Sequence, residues 1–299
     1  MIRGAAPQSV STSPVAEPAL DIVWIPGGTY RMGSDRHYPE EAPAHRVSVD
    51  GFWMDRTPVT NRQFREFVDA TGYRTVAETA SRSLVFVQPQ KPVDLRDGSQ
   101  WWEYRCGANW QHPLGHDSSI VGLEDHPVVH VAHQDAEAYA AWTGQSLPTE
   151  VEWEYAARGG LEGAEFAWGN VFLPSGRYMA NTWQGAFPHQ NLRHDGYERT
   201  SPVTAFPPNG YALYDMIGNV WEWTADWYAS KHLIASKPCE QDSHDPREPA
   251  LCIRRKVVKG GSHLCAPNYS LRYRPAARHG QAIDTPTSDI GFRCVVRKP

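Results

Sequence analysis

The chain has 299 residues, a net charge of −5 and a sequence pI near 6.2, with no long block of like charges. So even a balance is poorly matched to nucleic acid or an anionic membrane, and nowhere do about eighteen apolar residues run together as a membrane span requires. Apolar content of 40%, with 12 Trp, 24 Gly and 24 Pro, predicts a globular chain whose helices and strands are short and often interrupted.

Residues 1–20, rich in Ser, Pro and Ala without a continuous apolar run, read as a disordered tail and not an export signal, which leaves residues 21–299 as one folded domain. Val23 to Ile25 reads as a short strand, Pro26 with Gly27 and Gly28 as a turn, and Tyr30 to Met32 as the strand returning from it. The run HRVSVDGFWMD alternates Val47 and Val49 with polar neighbours and reads as a second strand. Thr60 and Gln63 form a capping box for a helix that places Phe64, Phe67 and Val68 on one face and stops at Gly72. Asp135 can cap a helix closed by Gly144, and Thr149 with Glu152 opens another that runs to Gly159. The stretches from Val85 to Asp117 and from Ser230 to Pro249 read as long polar loops, which points to a cleft or to mobility.

Five cysteines, Cys106, Cys239, Cys252, Cys265 and Cys294, follow no regular spacing. An odd number without a secretory signal points to reduced thiols in a cytoplasm, while a bridge between Cys239 and Cys252 stays open, since spacing cannot test its geometry. His126, His130 and His133 would converge on a metal only from a helix; Pro127 and the valines around it make the segment a strand, so they read as structural histidines. Asn181 and Asp195, and again Asp215, Asn219 and Glu222, lie in glycine-bearing irregular chain that could cage calcium, although turn and cap roles suit them equally. Trp221 and Trp223 flank Glu222 on a strand pattern that turns both indoles to one face, where core packing is the plainer role for Trp223. Cys265 follows a Gly-Gly turn and precedes Arg272, Arg274 and Arg278, which suggests an exposed turn in a positive field that favours thiolate.

Taken in order, IPGGTYRMGS, TPVTNRQFREFV, HPVVHV, SLPTEVEWEYAARGG, NTWQG, PPNGYALYDMIGNVWEWT, KGGSHLC, RYRPAAR and GFRC resemble the formylglycine-generating enzyme family, also called sulfatase-modifying factor, across about residues 22–296. The resemblance implies an α+β fold: a single compact domain with little regular secondary structure, a variant of the C-type-lectin-like fold. It implies oxidation of a cysteine within a Cys-x-Pro-x-Arg segment of an unfolded sulfatase to Cα-formylglycine, with O2 as oxidant and Cu(I) held by two enzyme cysteines five residues apart. Cys265 falls on the first of these and Ser270 on the second, while Ser262 and Trp221 fall on further active-site positions. Two calcium sites are implied as well. One would use Asn181 and Asp195 with the Thr182 and Tyr197 carbonyls, the other Asp215 and Glu222 with the Gly218 and Val220 carbonyls.

Trp101, Trp102 and Trp110 are the candidates for an aromatic substrate groove. Because a serine oxygen is a hard, poor ligand for Cu(I), two readings stand: an oxidase impaired at Ser270, or a non-catalytic protein that binds sulfatase segments. The iron oxidases of the wider superfamily carry an extra helical domain for which this chain has no room. A soluble monomer is expected.

Overall fold

Strands too short to stand alone are gathered here into four small sheets, and the computed structural model describes residues 21–232 and 253–298. In chain order the first half gives β1 (Ile22–Ile25), β2 (Gly28–Met32), β3 (His45–Val49), β4 (Phe52–Asp55), α1 (Asn61–Thr71), α2 (Val76–Ala80), β5 (Arg82–Phe86) and β6 (Trp102–Cys106). The second half gives α3 (His133–Trp142), α4 (Glu150–Arg158), β7 (Trp221–Trp227), β8 (Arg255–Lys259), β9 (Arg278–Ala282), β10 (Ile290–Gly291) and β11 (Val295–Arg297). Few helices and many short strands make this an α+β fold. The expected tail over residues 1–20, most of the loop from Ser230 to Pro249 and the Cys239–Cys252 pair lie outside the described residues.

Local chemistry sets the helix ends. Thr60 accepts from the Gln63 N–H at 3.3 Å while the Gln63 side chain accepts from the Thr60 N–H at 2.9 Å, and Gly72 closes α1 at φ 68°. Thr149 and Glu152 repeat the device for α4, which ends at Gly159, φ 57°. Reciprocal capping of this kind satisfies backbone N–H groups that have no partner within the helix. α1 lays Phe64 and Phe67 into a core shared with Trp110, Tyr139 and Phe292.

Several expectations are corrected. The first two strands do not form a hairpin with each other: β1 pairs with β4 and β2 with β3, because the HRVSVDGFWMD run breaks at Asp50 and Gly51 and feeds two different sheets. A Cβ on Gly51 would sit 2.4 Å from the Trp24 ring, so the break needs glycine there. The polar loop expected from Val85 to Asp117 contains half a hairpin, since β5 and β6 pair antiparallel from Arg82 opposite Cys106 to Phe86 opposite Trp102. The segment expected to be a strand around His126 and His130 is irregular, His130 lies at φ 59°, and α3 begins at His133. Asp135 is accordingly the third residue of that helix, not its cap, and its Oδ2 accepts from the Ala132 N–H at 2.8 Å.

The sheet that positions the site is four-stranded, in the order β10-β7-β8-β9. β10 lies parallel to β7, with Ile290 opposite Trp221, while β8 and β9 are antiparallel and joined by residues 260–277. Long-range pairing thus brings residues near 221, 262 and 289 to one place.

Candidate active site

The joining segment is shaped first by its glycines. Gly260 and Gly261 sit at φ 92° and 72°, and a Cβ on Gly261 would meet the Arg272 carbonyl oxygen at 2.7 Å. Only glycine tolerates both that conformation and that approach. From this turn the Cys265 N–H donates to the Ser262 carbonyl at 2.9 Å, and the Ser262 N–H donates to Cys265 Sγ at 3.4 Å. The Ser270 N–H donates to the Ala266 carbonyl at 2.8 Å, a single helical turn that places Ser270 Oγ 3.9 Å from Cys265 Sγ.

These side chains line a cavity of about 380 Å³. Trp101, Trp102, Phe187, Tyr269 and Trp221 supply aromatic walls, and Phe187 stacks on Tyr269 at 4.5 Å. Trp101 itself is buried, edge-on to Phe187 and Tyr269 at 5.5 Å from each, so it braces the wall. Trp110 does not line the cavity. It is fully buried against Phe64 in the helical core, which removes it from the groove candidates. Trp223 is likewise interior and donates its indole N–H to the Val131 carbonyl at 3.0 Å.

Sequence reading missed one residue of this cavity above all. Asp289, buried, accepts from the Ser262 hydroxyl at 2.8 Å through Oδ2 and from the Thr287 hydroxyl at 2.7 Å through Oδ1. Its backbone carbonyl accepts from the Trp221 N–H at 2.8 Å. Nothing in the spacing links position 289 to 262; β7, paired with β10 on one side and with β8 on the other, brings them together. Leu84, Tyr269 and His279 also line the cavity and were not singled out.

The expected positive field around Cys265 is largely neutralised, although Arg272 lines the cavity and still favours the thiolate. Arg274 is clamped by Glu41 at 2.5 and 2.8 Å, Arg278 by Glu150 at 2.7 and 2.9 Å, and Arg272 by Glu40. Cys265 is buried, and burial pushes its thiol up from the ordinary value despite the Ser262 N–H that it accepts, its contact with the Ser270 hydroxyl oxygen and the charge of Arg272. The resting group is a thiol, not an exposed thiolate.

Donor chemistry can be tested against the implied metals. Copper(I) is soft and selects sulfur. The cavity offers one sulfur, Cys265, beside hydroxyl oxygens, while Cys106 and Cys294 are free but elsewhere. This set does not fit a two-thiolate copper centre. The calcium candidates fare differently. At Asp195, Oδ1 accepts from the Tyr197 N–H at 3.0 Å, while Oδ2 accepts from the Thr182 N–H at 3.2 Å and the Gln184 amide at 2.7 Å. That Gln184 nitrogen also contacts the Thr182 carbonyl, so a donor already sits between two of the implied ligands, and Asn181 donates to the Arg199 carbonyl at 2.8 Å. At the second place Asp215 Oδ1 is buried without a partner, and burial pushes that carboxyl up to about 7. Glu222 accepts from Arg293 through both oxygens and from the Trp153 indole, which leaves lone-pair capacity on Oε1. An orphaned buried carboxylate oxygen close enough to feel the Glu222 charge is the kind of hard donor a hard cation takes.

The three histidines do not converge. His126 Nδ1 lies 3.0 Å from Thr200 Oγ1, His130 lies between Ser83 and Pro113, and His133 Nε2 lies 3.1 Å from the Thr224 carbonyl. Burial lowers the His130 imidazole to about 4, so it stays neutral.

Comparison with known proteins adds the context of this geometry. Residues 7–298 match the sulfatase-modifying factor enzyme 1-like domain. A formylglycine-generating enzyme of Mycobacterium tuberculosis is 51% identical over 301 residues, spanning 92% of this chain and 97% of that protein. An inactive C-alpha-formylglycine-generating enzyme 2 of Mus musculus is 41% identical over 290 residues, spanning 93% of this chain and 85% of that protein. PvdO from Pseudomonas aeruginosa shares the fold at a TM-score of 0.64 and 25% identity, over 93% of this chain and 94% of its own. With the match running through nearly every element described above, the chain belongs to the sulfatase-modifying factor enzyme 1-like domain family.

Proposed function

We propose that the chain is a formylglycine-generating oxidase that takes a Cys-x-Pro-x-Arg segment of a sulfatase into the Cys265 cavity, with dioxygen as oxidant and with activity impaired by Ser270. The observation that carries this reading is the grouping of Cys265, Ser262 and Trp221 around one aromatic-walled cavity, in a chain 51% identical to a formylglycine-generating enzyme. A cavity of about 380 Å³ admits a few side chains of an extended strand and no folded domain, so the sulfatase would be engaged before it folds. Phe187 stacked on Tyr269 offers a rigid apolar face at low entropic cost to such a strand.

The chain's own donors do not complete a two-thiolate Cu(I) site, so copper-dependent turnover is expected to be poor until a second sulfur is supplied. Calcium is proposed as structural at Asp215 with Glu222, while at Asp195 with Asn181 a cation would first have to displace the Gln184 amide that bridges the Asp195 carboxylate and the Thr182 carbonyl. We place the protein in the cytoplasm as a monomer. Free thiols at Cys106, Cys265 and Cys294 suit a reducing compartment, and among the described residues no helix is long and apolar enough to cross a membrane.

A second reading, a non-catalytic binder of sulfatase segments, is favoured by Ser270 and by the 41% identity to an inactive mouse relative. Both readings require peptide at the same place. A Cys-x-Pro-x-Arg peptide should therefore slow alkylation of Cys265 in a saturable way, and a peptide with scrambled order should not. Unchanged alkylation at saturating peptide would place the substrate elsewhere and overturn both.

A further inference from the structure

The Ser262–Asp289 contact fixes a direction that the family resemblance does not supply. A serine hydroxyl has one hydrogen and two lone pairs. In Ser262 the hydrogen points to Asp289 Oδ2 at 2.8 Å, and the Leu264 N–H approaches the oxygen at 3.3 Å. The other Asp289 oxygen is taken by the Thr287 hydroxyl at 2.7 Å, so neither oxygen lacks a donor. Asp289 cannot swing away easily: it is buried, its carbonyl holds the Trp221 N–H at 2.8 Å, and Ile290 beside it is locked opposite Trp221 in the sheet. It is also the acidic residue among those lining the cavity.

We infer that Asp289 is a positioning residue that commits the Ser262 hydroxyl hydrogen to itself, so that Ser262 meets a ligand in the cavity as a hydrogen-bond acceptor. The matching ligand group is a donor, and in a cysteine-bearing peptide that donor is the thiol S–H. Ser262 would then select the protonated thiol and hold its sulfur beside Cys265, whose Sγ accepts the Ser262 backbone N–H at 3.4 Å. The inference rests on the proposed reading only in taking the ligand to be a cysteine peptide.

The test is binding in metal-free buffer of two Cys-x-Pro-x-Arg peptides that differ only in cysteine against alanine, read by fluorescence anisotropy. Comparing the preference between proteins cancels the burial of the sulfur itself. The parent chain should favour the cysteine peptide, and Asp289→Ala should cut that preference, read as the ratio of the two affinities, about fivefold, the size of one modest hydrogen bond. Ser262→Ala should cut it equally, and the double variant no further. If Asp289→Ala loses its melting transition, Asp289→Asn decides: its carboxamide sets an oxygen before one of the two hydroxyls and an N–H donor before the other, so the Ser262 hydrogen is no longer fully committed and the preference should fall at least about twofold.

A preference unchanged in these variants, or equal losses for both peptides, would show that Asp289 is only structural. Binding of both peptides without preference by the parent overturns this inference alone. Binding of neither peptide overturns the functional reading and this inference with it.

Discussion

Replacing Glu150 by Gln tests whether the arginines around the site are structural. Glu150 is buried and accepts two bonds from Arg278, whose remaining partners are the carbonyls of Ala229 at 2.7 Å and Glu40 at 3.2 Å. Lys259 lies 3.5 Å from Glu150 but keeps Glu154 at 2.9 Å. Removing one partner of a buried pair costs about 3 to 5 kcal/mol because the other charge is left uncompensated. The carbonyls that stay on Arg278 put the expected loss at the lower end, about 3 kcal/mol. A chain of 299 residues has an unfolding entropy of about 0.6 kcal/mol/K, so the melting temperature should fall by about 5 °C. Differential scanning calorimetry at neutral pH reads the shift directly. A fall under about 1 °C would mean that Arg278 is not held as described, and a positive field at Cys265 would return as an explanation of its chemistry.

Other expectations follow from the same contacts. Thr149→Ala removes a reciprocal cap from α4 and should cost about 1 kcal/mol in chemical denaturation. At Glu154 burial would raise the carboxyl, but Lys259 and Arg158 outweigh it and hold it at about 2 against an ordinary 4.5. Its contribution is then complete above pH 4.5 and is lost as pH falls toward about 2, so the stability gap between the parent and Glu154→Gln should close over that window. Excess chelator should lower the melting temperature if a cation fills the place at Asp215, and Asp215→Ala should be insensitive to chelator at that place.

Much of the frame was legible where a local rule acts alone. Thr60 with Gln63 and Thr149 with Glu152 announce their helices because a capping box is a contact between near neighbours. Thr75 with Glu78 writes the same signal for α2, which went unread because only five residues follow it. Strand pairing was not legible: β1 and β2 look like a hairpin, and only distant partners at β4 and β3 decide otherwise. The charge at Cys265 failed for a related reason. Sequence shows the arginines at 272, 274 and 278, but their neutralising partners Glu40, Glu41 and Glu150 lie more than a hundred residues away. Asp289 was invisible because only sheet pairing brings it to Ser262, whereas Cys265 stood out beside its Gly-Gly turn and Ser262 and Ser270 were placed by the family resemblance of the segment that carries them.

The most direct test of the account is aldehyde formation from a Cys-x-Pro-x-Arg peptide under oxygen, with copper and a reductant, by the parent chain and by Ser270→Cys. A hydroxylamine-type probe captures the aldehyde and mass spectrometry locates it. Ser270→Cys should convert the peptide cysteine, and the parent should do so at least about tenfold more slowly, because oxygen is a poor substitute for sulfur on a soft metal. Peptide bound by both proteins but converted by neither would contradict the oxidase reading and leave a binding protein in its place.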